Sequence, residues 1–359
     1  MYEMKSYFLL SIFTLLCFIK VENAVSQKKI ASQITYVCPP CNRKCDHLTF
    51  DKPGICMHCN MKLVDKSTLK DHPKPNRTKV GFYLQSGVEI LDFAGPMEVF
   101  AYAGYDVFTI SKTKEPIYAQ GILTVIPDYD LSDAPQADIL VFFGGNAVLP
   151  SKDKELITWI RSQNNTKYYF SVCSGALILA EAGILDNQKA TTFRYTIEAL
   201  KNFKKINVLP NVRYVDNGKT ITTAGVSAGI DGALHMIAKL EGLTAAVETA
   251  FYMEYEWTPN KGIILGSDNP YHNINNVSIL KDYKGKFKSN QNQTYELVLD
   301  PIINTLFIII NNEKHPVFYI EKNRFFLPFT ANFLVFERDK NDVITGLKNT
   351  AHSNLFIKQ

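Results

Sequence analysis

Cys173 follows the apolar run Tyr168-Tyr-Phe-Ser-Val172 and precedes Ser174-Gly-Ala176 and a stretch apolar enough for a helix. A thiol at a strand-to-helix turn stands at the mouth of a sheet, not inside it. The helix N-terminus behind it offers unpaired N–H groups and a positive dipole end, which favour thiolate over thiol. Small residues let the turn tighten and let the next backbone N–H approach the reacting atom. A lone cysteine is more often an inert core residue, but strand, cysteine, two small residues and helix together point to a nucleophile. Asp92 comes after the first strand, just before a helix whose start Pro96 marks, where a carboxyl can hold a proton or pass it on. Asp is also a helix-capping residue, and one side chain can serve both roles. Glu98 is a second acid, but its place in the helix suits a solvated face or a packing pair. Gly144-Gly145 ends another apolar strand. Glycine permits close backbone approach, so the N–H groups of Gly145 and Ser174 can form an oxyanion hole. Taken alone, the glycine pair reads equally well as a tight turn.

A second constellation lies upstream. Cys38-Pro-Pro-Cys41 and Cys56-Met-His-Cys59 are two C-x2-C pairs. Each pair grips an ion from one side, and two pairs complete a tetrahedron of thiolates. Four thiolates suit zinc or another soft metal such as copper. The segment is too small to hold a core without a staple, which strengthens the metal reading. In an oxidising compartment the same cysteines can instead form disulfides. Cys38-Pro-Pro-Cys41 lacks the βαβ context of a redox pair. Cys45, His47 and His58 are spare donors.

The elements that must position these residues follow from periodicity. Val80-Gly-Phe-Tyr-Leu84, Ile139-Leu-Val-Phe-Phe143 and Tyr168–Val172 read as buried parallel strands, and 156–162, 176–182, 228–240 and 243–255 as helices. The alternation predicts an α/β fold with a doubly wound parallel sheet, whose ligands bind beyond the strand C-termini. After about residue 278 the period changes to short strands, among them Tyr295–Leu299, Leu306–Ile310 and Asn332–Glu337. These predict an antiparallel meander closed as a small barrel or sandwich. The expected organisation is a signal peptide (1–26), a Cys-rich module (35–65), a linker (66–78), the α/β domain (79–257), a second linker (258–277) and a small all-β domain (278–359).

The signal reading rests on Lys5, the short apolar run 7–19 and small residues at Ala24-Val-Ser26. The run is too short to span a bilayer comfortably. The mature chain is therefore expected in the periplasm or secreted, with no stable membrane span after cleavage. Formal net charge is only +4 over 359 residues, with no dense basic run, which argues against nucleic acid as a partner.

The segment 36–64 resembles small heavy-metal-binding domains, on Tyr36-Val-Cys-Pro-Pro, Asp51-Lys-Pro-Gly-Ile-Cys-Met-His-Cys and Met61-Lys-Leu-Val64. Pro40-Cys41 stands where such domains often carry Met-His. The stretch from Lys79 to Tyr255 resembles the ThiJ/PfpI (DJ-one) superfamily, in the branch of isonitrile hydratases and the amidase-like domains of AraC-type regulators. The matching residues are Gly87-Val-Glu-Ile-Leu-Asp-Phe-Ala-Gly-Pro-Met-Glu98, Phe142-Phe-Gly-Gly145, Ser171-Val-Cys-Ser-Gly-Ala176, Lys189-Ala-Thr-Thr192 and Ala224-Gly-Val-Ser-Ala-Gly-Ile-Asp231. The resemblance implies a flavodoxin-like, class I glutamine amidotransferase-like fold, Cys173 as nucleophile and Asp92 at the acidic position. It also implies a possible homodimer. One departure matters: Phe193 stands where the family often has a histidine, so no Cys–His dyad is available there. His235 reads as a packed residue.

These residues together lead to an exported, Cys-dependent hydratase or hydrolase-like enzyme. Its substrate is expected to be a small electrophile such as an isonitrile, an amide or an α-oxoaldehyde. The α/β site itself requires no cofactor. The alternatives are a non-catalytic envelope protein that binds metal or ligand, and an oxidative-stress sensor in which Cys173 becomes a sulfinate.

Overall fold

The computed structural model describes residues 35–38, 45, 48–56, 63–68, 77–330, 332–351 and 354–359. The signal segment, Cys41, His47, His58, Cys59 and most of the first linker lie outside the described residues. The chain divides into two compact units, one of 1–41 with 45–73 and one holding the rest.

In the first unit, the two-residue strand Tyr36–Val37 pairs antiparallel with Thr49–Phe50 on one side and Val64–Asp65 on the other. Among the described residues its core cluster is Cys38, Cys45, Cys56 and Leu63, with Tyr36 and Phe50 packed against them. So small a core stabilises little by burial alone.

The second unit is built on an eight-stranded sheet. Its strands are β1 (Lys79–Tyr83), β2 (Asp106–Ser111), β3 (Tyr129–Asp130), β4 (Ile139–Phe142), β5 (Tyr168–Ser171), β6 (Tyr214–Asp216), β7 (Thr220–Thr223) and β8 (Ile263–Ile264). They lie in the order β8-β6-β7-β5-β4-β1-β2-β3, and the central pairs β1–β2, β1–β4, β4–β5 and β5–β7 are parallel. Only β6 runs against its neighbour β7. Both faces are covered, which explains the continuous apolar runs. Val80, Phe82, Val141 and Phe170 face one core together with α1 (Ile90–Tyr102), α4 (Ala228–Glu241) and α5 (Leu243–Tyr252). Tyr83, Leu140, Phe142 and Tyr169 face the other, with α2 (Lys154–Ser162) and α3 (Ala176–Glu181). This is the expected doubly wound α/β fold. Residues 258–277, read above as a linker, contain β8, and Tyr271 and Ile274 within them are buried.

One helix start differs from expectation. α1 begins at Ile90, so Asp92 sits in its first turn and Pro96 lies inside it. Proline has no N–H to return to the Asp92 carbonyl, a cost normally avoided in a helix interior. Pro96 instead packs towards Gly229 of α4, where a Cβ would come within 3.1 Å of the proline ring.

The C-terminal strands close as an eight-stranded antiparallel barrel between Gly285 and Lys358. Aromatic side chains fill it: the Tyr283 ring lies 4.6 Å from Phe325 and 4.8 Å from Phe336, and Tyr295 stacks on Phe356 at 4.1 Å. From the same domain Phe318, Phe326 and Phe333 join the core of α4 and α5. Arg324 bridges Glu248 of α5 at 3.2 Å while its guanidinium lies over the Phe333 ring. Among the described residues no helix is long and apolar enough to cross a membrane.

Candidate active site

β5 delivers Cys173 to the C-terminal edge of the sheet. The Cys173 N–H still donates to Ala224 O at 3.0 Å, but its φ is +59°, and the chain then turns through Cys173–Gly175 into α3. Left-handed backbone at a non-glycine residue is strained, and it is held here by the neighbouring strands. The turn needs its small residues. A Cβ on Gly175 would lie 2.3 Å from Phe142 O. A Cβ on Gly144 would lie 2.6 Å from both Cβ and Sγ of Cys173 and 2.8 Å from Asp92 Oδ2. Gly144 therefore fixes how closely thiol and carboxyl approach.

Asp92 is fully buried. Its Oδ2 accepts from Gly144 N at 2.9 Å and its Oδ1 from Val226 N at 3.0 Å. Val226 has φ +54°, a conformation that a β-branched residue rarely adopts, and that strain aims its N–H at the carboxylate. Asp92 also hydrogen-bonds Cys173, whose sulfur receives the backbone N–H groups of Ser174 and Gly145. The four residues singled out from the sequence, Cys173, Asp92, Ser174 and Gly145, thus meet at one point. The Ser174 hydroxyl donates to Gly145 O at 3.4 Å, and the Thr192 hydroxyl donates to Cys173 O at 2.7 Å. Gly145 has φ +78°, and a Cβ there would lie 2.2 Å from Gly87 O, so only glycine brings this N–H to the sulfur.

The electrostatics overturn one expectation. The thiol is not biased towards thiolate at rest: burial, then the Asp92 carboxylate, push Cys173 up to about 12, against the two N–H groups that favour its anion. α3 begins only at Ala176 and runs six residues, so its dipole is too short and too distant to win. Burial also raises Asp92 to about 6, while its two backbone N–H partners pull it down. At neutral pH the pair holds one proton and one negative charge. Each candidate anion has two N–H donors, so moving that proton from sulfur to carboxyl needs no rearrangement of the backbone.

Glu98, the second candidate acid, is exposed. Phe193 packs its ring on Gly225, where a Cβ would lie 2.6 Å from it, and meets Tyr195 edge-on at 5.3 Å. The position where the resemblance points to a histidine is thus an aromatic side chain. His235 is buried, with Nε2 2.9 Å from Asp216 Oδ2 and Nδ1 2.8 Å from the Tyr271 hydroxyl. Sequence reading missed Gly144, Val226 and Thr192 as site residues. The runs Phe142–Gly145, Lys189–Thr192 and Ala224–Asp231 had marked their neighbourhoods without saying what each residue does.

In the first unit Cys38, Cys45 and Cys56 come together, their sulfurs all within 4.8 Å of one another and all three residues buried. This cluster can hold a metal ion. It includes Cys45, which the C-x2-C spacing treated as spare.

Residues 78–239 match the model of the DJ-1/PfpI family. The chain is 33% identical over 184 residues to the isonitrile hydratase of Pseudomonas putida, covering 50% of this chain and 80% of that protein. It is 28% identical over 177 residues to the HTH-type transcriptional regulator CdhR of Pseudomonas aeruginosa, covering 47% of this chain and 52% of the regulator. Among solved structures, a ThiJ/PfpI family protein from Pseudomonas syringae aligns with 28% identity and a TM-score of 0.48, covering 53% of this chain and 83% of that one. With a third of the aligned residues identical over four-fifths of the hydratase, the chain belongs to the DJ-1/PfpI family.

Proposed function

We propose that this protein is a Cys-dependent hydratase that adds water to an isonitrile. The observation that carries the reading is the Cys173–Asp92 pair, with one proton shared between two groups that each have two N–H donors. The likeness to an isonitrile hydratase supplies the substrate class. As the substrate carbon approaches, Sγ forms a bond to it and Asp92 takes the thiol proton. Asp92 then gives that proton to the same carbon, leaving a thioimidate, R–N=CH–S–Cys173. Water adds to this carbon, the C–S bond breaks, and the sulfur recovers its proton as an N-substituted formamide leaves. An acid near 6 suits both directions of proton transfer. The N–H groups of Gly145 and Ser174 hold the sulfur's charge as it forms. Phe193 removes any Cys–His route and gives the site an apolar side.

The Cys-rich module is read as the seat of a soft metal, zinc or copper, since its donors are thiols. The apolar run 7–19 and the small residues 24–26 support export to the periplasm or beyond. A homodimer is consistent with family membership.

The test is proton NMR of the protein with an alkyl isonitrile. Formyl signals should grow with time, and Cys173→Ala should stop them. Formamide production by Cys173→Ala, or none by the parent protein, would sink the hydratase reading.

A further inference from the structure

The geometry of the first unit points to a metal centre in which Cys45 is a ligand: we propose that Cys38, Cys45 and Cys56 bind one thiophilic ion, zinc(II) or copper(I), as three thiolates. This rests on the reading of the module as metal-binding, and it adds Cys45 to the Cys38 and Cys56 of the paired-knuckle arrangement, whose Cys41 and Cys59 lie outside the described residues. Three sulfurs on one ion at about 2.3 Å from it stand about 3.8–4.0 Å apart. The three sulfurs here already lie within 4.8 Å of one another, so only a small contraction closes the site.

The three thiols come from three separate segments. Cys38 directly follows the strand Tyr36–Val37. Cys45 sits at a turn where its carbonyl accepts from Leu48 N at 3.1 Å, and Cys56 follows a loop whose Gly54 carbonyl accepts from Leu63 N at 2.8 Å. One ion would tie all three. The other side chains of the cluster are Leu63, Tyr36 and Phe50, and no carboxylate or imidazole of a described residue belongs to the group. An all-sulfur donor set in apolar surroundings disfavours magnesium and calcium, which take oxygen ligands. The alternative, that the three cysteines are ordinary small core residues, leaves, among the described residues, two-residue strands around a cluster of three cysteines and one leucine. Such a unit cannot offset the entropy of ordering its chain, whereas metal-binding free energy can.

The experiment uses the full chain, reduced and stripped of metal, with cobalt(II) as the spectroscopic stand-in for zinc. The parent should take up cobalt with strong sulfur-to-metal charge-transfer absorption, and zinc or copper(I) should displace it. Cys45→Ser should lower that absorption and weaken zinc binding at least about 100-fold, more than the 10–100-fold that outer-shell partners cost. Cys45→His, which returns a ligand, should recover much of the affinity and so separate lost ligation from a module that fails to fold. If Cys45→Ser binds as the parent does, Cys45 is not a ligand and the proposal falls. If the parent takes up neither cobalt nor copper(I), the metal reading of the module fails before Cys45 is in question.

Discussion

Cys173 and the trio Cys38, Cys45 and Cys56 are all buried thiols, yet they stand in opposite relations to the chain around them. Cys173 is placed by a fold that exists without it. Two strongly packed cores flank its sheet, and the Cys173 backbone is held at a positive φ by hydrogen bonds to its neighbours. In the first unit the thiols are three of the four side chains of the core cluster among the described residues. There the sulfurs do not sit on a scaffold; they are most of it. A nucleophile needs the first arrangement, because strain must be held by something else. A structural metal site needs the second, because ligation is what folds the unit.

Crossed substitutions break this contrast most directly, and they carry the largest effects. Cys173→Ala should reduce isonitrile turnover to background, while the urea unfolding free energy of the α/β unit stays within about 1 kcal/mol of the parent. Cys56→Ser should do the reverse: turnover persists, while limited proteolysis cuts within residues 35–68. Loss of turnover in Cys56→Ser would mean that the site depends on the module and that the contrast is false.

A sharper probe is Gly144→Ala. The new Cβ must displace the Cys173 side chain or the Asp92 carboxylate, since it would lie 2.6 Å from the first and 2.8 Å from the second. A shift approaching 1 Å at the reacting atoms is worth about 100-fold in rate. The overpacking itself should cost about 1–3 kcal/mol in stability. If turnover survives, close approach of thiol and carboxyl is not what the glycine secures.

How much of this was legible in the chain differs between the two regions for the same reason. The buried strands were readable because burial on both faces leaves continuous apolar runs, and Cys173 was readable because a nucleophile at a strand-to-helix turn needs small neighbours. Val226 was not. Its contribution is a backbone N–H at φ +54°, and a backbone donor leaves no trace in side-chain type. The start of α1 was misplaced because Pro96 looks like a first-turn residue, whereas packing on Gly229 lets it sit inside the helix. In the small unit, spacing marked the two C-x2-C pairs. Which sulfurs converge depends on how three segments fold back on each other, and Cys45 carries no spacing signal. Long-range placement is a property of the tertiary fold in both regions, and only its local requirements are written in the residues.

The smallest effect asks what the scaffold gives up to hold its site. Asp92 is buried and its folded-state pKa is raised to about 6. Burial penalises the charged form, so the carboxyl's contribution to stability is fully present only below its unfolded value, near 4, and is lost as pH rises through about 6. Two pKa units correspond to about 3 kcal/mol. Asp92→Asn cannot ionise. It forfeits one acceptor for the N–H groups of Gly144 and Val226, but that loss is the same at every pH. Urea unfolding of parent and variant should therefore diverge in the variant's favour by about 2–3 kcal/mol between pH 4 and pH 7. Cys173, also pushed up, to about 12, titrates outside that window and does not blur the result. A difference that stays flat across the range would mean that the two N–H donors of Gly144 and Val226 already compensate the buried charge. The fold would then carry Asp92 at no cost, as it does an ordinary core residue.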